Sequence, residues 1–116
     1  MQRLMPNFKQ GDVIKVPFPY TDRPTRQSRP ALVISTGKLE KRHGLLWVAM
    51  ITSARNRAWP EDVPVSNLKM AGLPFPSVIR SAKIATIEAS DAAKIGSVSP
   101  ARLRQVKERV TEELAG

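Results

Sequence analysis

The chain has 116 residues, with 19 Lys+Arg against 10 Asp+Glu and a formal net charge of +9. That length makes one domain, residues 1–116, with a single modest core. The lack of cysteine excludes disulfides and thiolate metal sites, and the longest apolar run, seven residues from Leu45 to Ile51, falls far short of the ~18 that span a membrane.

A field this positive on so small a domain points to phosphate polyanions or acidic proteins as partners. No basic amphipathic helix with aromatic anchors stands out, so no membrane partner is expected. Met1-Gln2-Arg3-Leu4-Met5-Pro6 carries no apolar stretch of the secretory kind, and the expected compartment is the cytoplasm. Ten prolines predict short strands and many chain reversals.

In chain order, Ile14, Val16 and Phe18 alternate with Val13, Lys15 and Pro17, which predicts a half-buried strand over Asp12–Phe18. Pro17 and Pro19 cannot donate to a ladder, so it ends there or lies on an edge. Residues 20–28 are polar and rich in turn formers, a loop carrying Asp22, Arg23 and Arg26 and leading into Arg29. Residues 31–34 form a short apolar strand. Residues 36–44 return the chain, with Gly44 a turn residue. Leu45–Ser53 is the most apolar strand, expected to be buried on both faces or part of a subunit interface, with Trp47 inside it.

Residues 54–60 form a second basic loop, with Arg55, Arg57 and Trp59. A short strand is expected over 61–65, then one helical turn closed by Gly72. Residues 73–76 are extended, and 77–80 with 83–87 form a strand pair or one bent strand. Ser99 and Pro100 supply an N-cap and a first-turn proline. The helix they open carries Leu103, Val106, Val110 and Leu114 on one face. Its charges oppose the macrodipole, with Arg102 and Arg104 early and Glu112 and Glu113 late. The i,i+4 spacings Arg104–Glu108 and Arg109–Glu113 offset some of this if they pair.

Several segments in this order resemble one family. They are Gly11-Asp12-Val13, Arg29-Pro30-Ala31-Leu32-Val33, Val48-Ala49-Met50-Ile51-Thr52-Ser53 and Trp59-Pro60-Glu61-Asp62-Val63-Pro64-Val65. Ala71-Gly72-Leu73-Pro74, Ser77-Val78-Ile79-Arg80, Lys83-Ile84-Ala85-Thr86-Ile87 and Ile95-Gly96 complete the series. The resemblance is to the MazF/PemK family of type II toxin–antitoxin toxins, ribosome-independent endoribonucleases. It covers nearly the whole chain.

That resemblance implies a mainly β fold with a C-terminal helix, built as a small, bent SH3-like β-barrel and usually paired as a homodimer. It implies growth inhibition by metal-independent, sequence-specific cleavage of single-stranded RNA (mRNA), with no cofactor. It also implies a cognate acidic antitoxin whose tail lies in the RNA groove. The family's arginine–threonine catalytic pair falls on Arg29 and Thr52, and an arginine used by some relatives falls on Arg80. Those relatives carry an acidic residue where this chain has Ala82, which leaves the general base unassigned. The alternative is a non-catalytic toxin or an RNA- or antitoxin-binding module on the same fold. Gyrase-poisoning toxins of that fold depend on a tryptophan-containing end, whereas this chain ends Glu113-Leu114-Ala115-Gly116.

The residue types suit the chemistry. In metal-independent cleavage a 2′-hydroxyl attacks phosphorus, and the negative charge of the phosphorane must be stabilised. Arginine offers a planar donor fork that matches phosphate oxygens, and Arg29 stands where a loop enters a strand. Thr52 and Ser53 close the apolar strand, so their hydroxyls emerge at its rim. Neither is a base unaided. Asp22 is the best-placed carboxylate for that task, although an aspartate in a loop is commonly a turn former. Histidine titrates near neutrality, but His43, between Arg42 and Gly44, reads as a turn residue. Arg23, Arg26, Arg55 and Arg57 are candidates for RNA phosphates, and Trp59 for stacking an unpaired base.

Overall fold

In the computed structural model, which describes residues 6–18 and 27–115, the alternating segment forms strand β1, Asp12–Phe18. Val13, Ile14 and Val16 are buried and Lys15 is exposed. β1 pairs antiparallel with β2, Gln27–Val33, in a register running from Val13↔Leu32 to Phe18↔Gln27. The second strand therefore begins before the apolar run that marks it. Strand β3 is Leu45–Ser53, β4 is Asp62–Pro64, β5 is Ser77–Glu88 and β6 is Ala93–Ser97.

The six strands form one sheet in the order β4-β5-β3-β2-β1-β6. β4 and β6 are its edges and do not pair among the described residues, so the expected bent β-barrel is borne out as a mainly antiparallel sheet with a C-terminal helix. A short helix, α2 at Leu68–Ala71, packs against β6.

The bend comes from β5. Its register with β3 shifts between Ala49↔Ile84 and Met50↔Arg80, leaving Ser81, Ala82 and Lys83 as extra residues. One bent strand, the second of the two sequence alternatives, is the result. The half before the shift pairs with β4 as well as β3, through Asp62↔Arg80, Val63↔Ile79 and Pro64↔Val78.

Apolar side chains line both faces of the sheet. Phe8, Ile14, Val16, Ala31, Val33, Leu46, Val48 and Met50 form one cluster. Val13, Leu32, Ala49, Ile51, Val63, Leu73 and Ile79 form the other, covered by Val106 of helix α3, Pro100–Leu114. Trp47, 51% exposed, and Ile84, 42% exposed, are exceptions. Within this chain Trp47 is not a core residue.

α3 starts as its caps dictate, with the Ser99 hydroxyl accepting from the Arg102 N–H at 3.3 Å. Leu103, Val106 and Val110 face the core, whereas Leu114 is 80% exposed, so the apolar face ends a turn early. Neither Arg104–Glu108 nor Arg109–Glu113 closes as an ion pair. Residues 36–44 hold a helix, α1 at Gly37–His43, where only a chain return was expected. Its buried residue is Glu40, whose carboxylate accepts from the Asn7 and Phe8 N–H groups at 2.9 and 3.0 Å. No helix among the described residues is long and apolar enough to cross a membrane.

Candidate active site

Where β2 and β3 part, a cavity opens. Their ladder runs from Val33↔Val48 to Ala31↔Met50 and stops beside Pro30, which has no N–H to give, while the ladder to β1 continues to Gln27. Carried two residues further, the same register sets Arg29 across from Thr52. Both line a cavity of about 320 Å³, with Ser53 beside them. Lys15 of β1 adds a second cation, and Ile51, Leu73, Pro74 and Ile95 supply apolar walls.

The rim of β3 is held by a tight network. The Asn56 amide donates to the Thr52 hydroxyl at 2.5 Å, and the Arg55 N–H donates to the Ser53 hydroxyl at 3.2 Å. The Asn56 N–H closes the turn on the Ser53 carbonyl at 3.1 Å. A threonine hydroxyl has one proton to give and two lone pairs to fill. With Asn56 on a lone pair, the Thr52 proton is left for a ligand oxygen. Arg29, half-buried, donates to the Gln27 side chain at 3.3 Å among its contacts. The described lining holds two cations, three hydroxyls (Thr52, Ser53 and Ser77) and no carboxylate, a donor set suited to an anion, in a partly apolar wall.

Arg80 is elsewhere. Its guanidinium meets the Asp62 carboxylate with two 3.2 Å contacts, donates to the Arg57 carbonyl at 2.6 Å, and stands 4.3 Å from the Trp59 ring centroid. The Trp59 N–H in turn donates to Asp62 at 2.9 Å. The side chains of Arg80 and Asp62 are 12% and 8% exposed. Arg80 therefore staples the 54–61 loop and does not line the cavity. Removing one partner strands the other, so Arg80→Ala should cost about 2 kcal/mol in urea unfolding. A stability unchanged within error would show the staple to be idle.

The loop that Arg80 holds presents Arg55, Arg57 and Trp59, all exposed. His43 ends α1, exposed and away from the cavity lining. Arg23, Arg26 and Asp22 lie outside the described residues. Lys15, Asn56, Phe75 and Ser77 were not foreseen as site residues. Lys15 had a signal, a charge inside an otherwise apolar alternation. The Thr52–Asn56 spacing had none.

A larger concavity, about 540 Å³, runs along α3. Only α3 residues wall it among those described, and Arg104 and Lys107 alternate there with Glu108 and Glu112. One wall of mixed charge makes a weak phosphate site. Nor do three His, Asp or Glu side chains come together among the described residues to hold a metal ion.

A sequence profile of the family described as PemK-like, MazF-like toxin of type II toxin–antitoxin system matches residues 9–114. No curated protein sequence matches. Among solved structures, the chain is similar to MazF from Deinococcus radiodurans, with a TM-score of 0.75 and 20% identity over 94% of this chain and 97% of that one. It is similar to a mycobacterial endoribonuclease in complex with its cognate antitoxin, with a TM-score of 0.73 and 18% identity over 92% and 94%. The Mycobacterium tuberculosis toxin MazF-mt6 gives 0.70 and 21% over 89% and 95%. At these identities the structural likeness is one of fold.

Proposed function

The chain belongs to the PemK-like, MazF-like toxin family of type II toxin–antitoxin systems, and from that premise we propose that it is an endoribonuclease that cuts single-stranded RNA without a metal ion. The observation that carries this reading is the shared cavity of Arg29 and Thr52. In the reaction a 2′-hydroxyl gives its proton to water as its oxygen attacks the adjacent phosphorus, the bond from phosphorus to the 5′-oxygen breaks, and that oxygen leaves with a proton taken from solvent. Arg29 and the Thr52 hydroxyl grip the non-bridging oxygens, where negative charge builds. Asn56 aims the Thr52 hydroxyl, and Ser53 is a further donor. The described lining holds no carboxylate or histidine and serves to stabilise charge; Asp22, the carboxylate that the sequence offers as base, lies outside the described residues.

Arg55, Arg57 and Trp59 would track the RNA strand, and Arg23 and Arg26, which lie outside the described residues, are proposed for the same task on sequence alone. Arg80 acts by holding the loop of three of them. A homodimer working in the cytoplasm and silenced by an acidic antitoxin completes the reading, and charge supports the last part. A basic surface attracts an acidic peptide and an RNA backbone alike.

Incubating antitoxin-free protein with long single-stranded RNA in EDTA tests the activity. Fragments with 2′,3′-cyclic phosphate and 5′-hydroxyl ends are expected, and intact RNA across varied sequences would overturn it. Thr52→Ala should slow cleavage by about tenfold, less than loss of the arginine, because a neutral donor contributes less to a developing charge than a guanidinium. A Thr52→Ala protein as fast as the parent would remove the hydroxyl from the chemistry.

RNA affinity should fall with a log–log salt slope of about −2 or steeper, at roughly −0.7 per neutralised phosphate. A flat response would contradict phosphate gripping. A second reading, a module that binds RNA without turnover, draws on the described lining holding no carboxylate or histidine. Tight binding with no cleavage in the same assay would select it.

A further inference from the structure

We propose that Phe75 is a stacking platform for the unpaired base beside the cleaved phosphodiester, and thus a specificity-determining residue of this site. The proposal rests on the ribonuclease reading above. Phe75 is 66% exposed, the most exposed large aromatic among the described residues, yet it lines the cavity that holds Arg29 and Thr52. Its neighbour Leu73 is 8% exposed and packs into the core cluster. The segment is thus anchored by leucine, and the phenylalanine ring is not needed for packing.

The backbone under that ring is fixed from several sides. The Ser77 hydroxyl donates to the Phe75 carbonyl at 2.7 Å, and the Ala54 N–H donates to the Pro76 carbonyl at 2.9 Å. The Leu73 N–H donates to the Leu68 carbonyl at 3.0 Å, and prolines at 74 and 76 restrict φ on both sides. A rigid, exposed ring loses little conformational freedom when a flat partner covers it.

Charge then identifies the partner. The cavity beside the ring holds Lys15 and Arg29 and no carboxylate among its described lining, so the ligand carries negative charge next to an apolar or aromatic group. A nucleotide of a single strand has both, with a phosphate for the cations and a base face for the ring. About 320 Å³ lies at the small end of ligand cavities, room for a nucleotide and not for a duplex.

The test uses the full chain with Phe75→Ala, Phe75→Leu and Phe75→Trp, and RNA oligonucleotides carrying 2-aminopurine on either side of the cut. Loss of one stacked base should raise KM by ~5- to 150-fold with kcat little changed. Tryptophan should restore KM and leucine should not, because leucine keeps apolar bulk without a π face. In the parent, 2-aminopurine at one flanking position should be quenched on binding, and Phe75→Ala should abolish that quench and broaden the set of cleaved sequences.

A Phe75→Ala protein with the parent's KM and site choice would overturn the platform alone. Full rescue by leucine would do the same, as would affinity lost together with a change of oligomeric state, which would place the ring in a contact between copies. A parent that cleaves no RNA would overturn the ribonuclease reading beneath it.

Discussion

Arg29→Ala should lower the rate of RNA cleavage by ~10²–10³-fold under single-turnover conditions, the scale for losing one preorganised donor to a developing oxyanion. The sheet holds this arginine in place. Its backbone pairs with Val16 of β1, and it enters the cavity just past Pro30, where the ladder to β3 has ended. It is half-buried, so its guanidinium meets a phosphate without the full screening of water. Arg29→Lys should recover part of the loss, since it keeps the charge and forfeits the fork. Turnover unchanged in Arg29→Ala, in a protein that still melts like the parent, would remove this residue from the mechanism.

The second large effect is on stability. Gly96→Ala should cost about 3 kcal/mol and lower Tm by roughly 10–15 °C. A methyl at position 96 would be driven into the Ala71 backbone, and one at Gly72 into the Ile95 carbonyl. Backbone cannot yield as a flexible side chain can, so α2 must move away from β6. Gly72 also has φ +71, a conformation costly for any residue with a Cβ. This reciprocal contact matters to function because residues 72–75, which follow α2 directly, form one wall of the cavity. A Tm within about 2 °C of the parent would mean that α2 and β6 are not seated together in solution.

How far the sequence alone could reach depended on whether burial was carried by apolar residues. β1 and β3 were legible because Ile14 and Val16, or Val48 and Met50, recur with the period of a strand. α1 was not, because the residue it buries is Glu40, which serves the amides of residues 7 and 8. β6 was missed for a related reason. Ala93-Lys94-Ile95-Gly96-Ser97 has one large apolar residue, and its partner is β1, far away in the chain.

The same limit applies to the site. Arg29 and Thr52 could be singled out by residue type and resemblance, and their placement on one cavity follows from a register set by Ala31↔Met50. The commitment of Arg80 to Asp62 and Trp59 is a tertiary fact with no local sequence mark. Phe75 was likewise invisible, since nothing in a Pro-Phe-Pro run says that its ring stays in solvent.

The most direct test of the account is a crystal structure with a single-stranded RNA whose scissile 2′-hydroxyl is replaced by hydrogen, so that it binds and cannot be cut. The account predicts one phosphate accepting from both the Arg29 guanidinium and the Thr52 hydroxyl. A strand bound along α3, or a phosphate that reaches only one of the two groups, would contradict it.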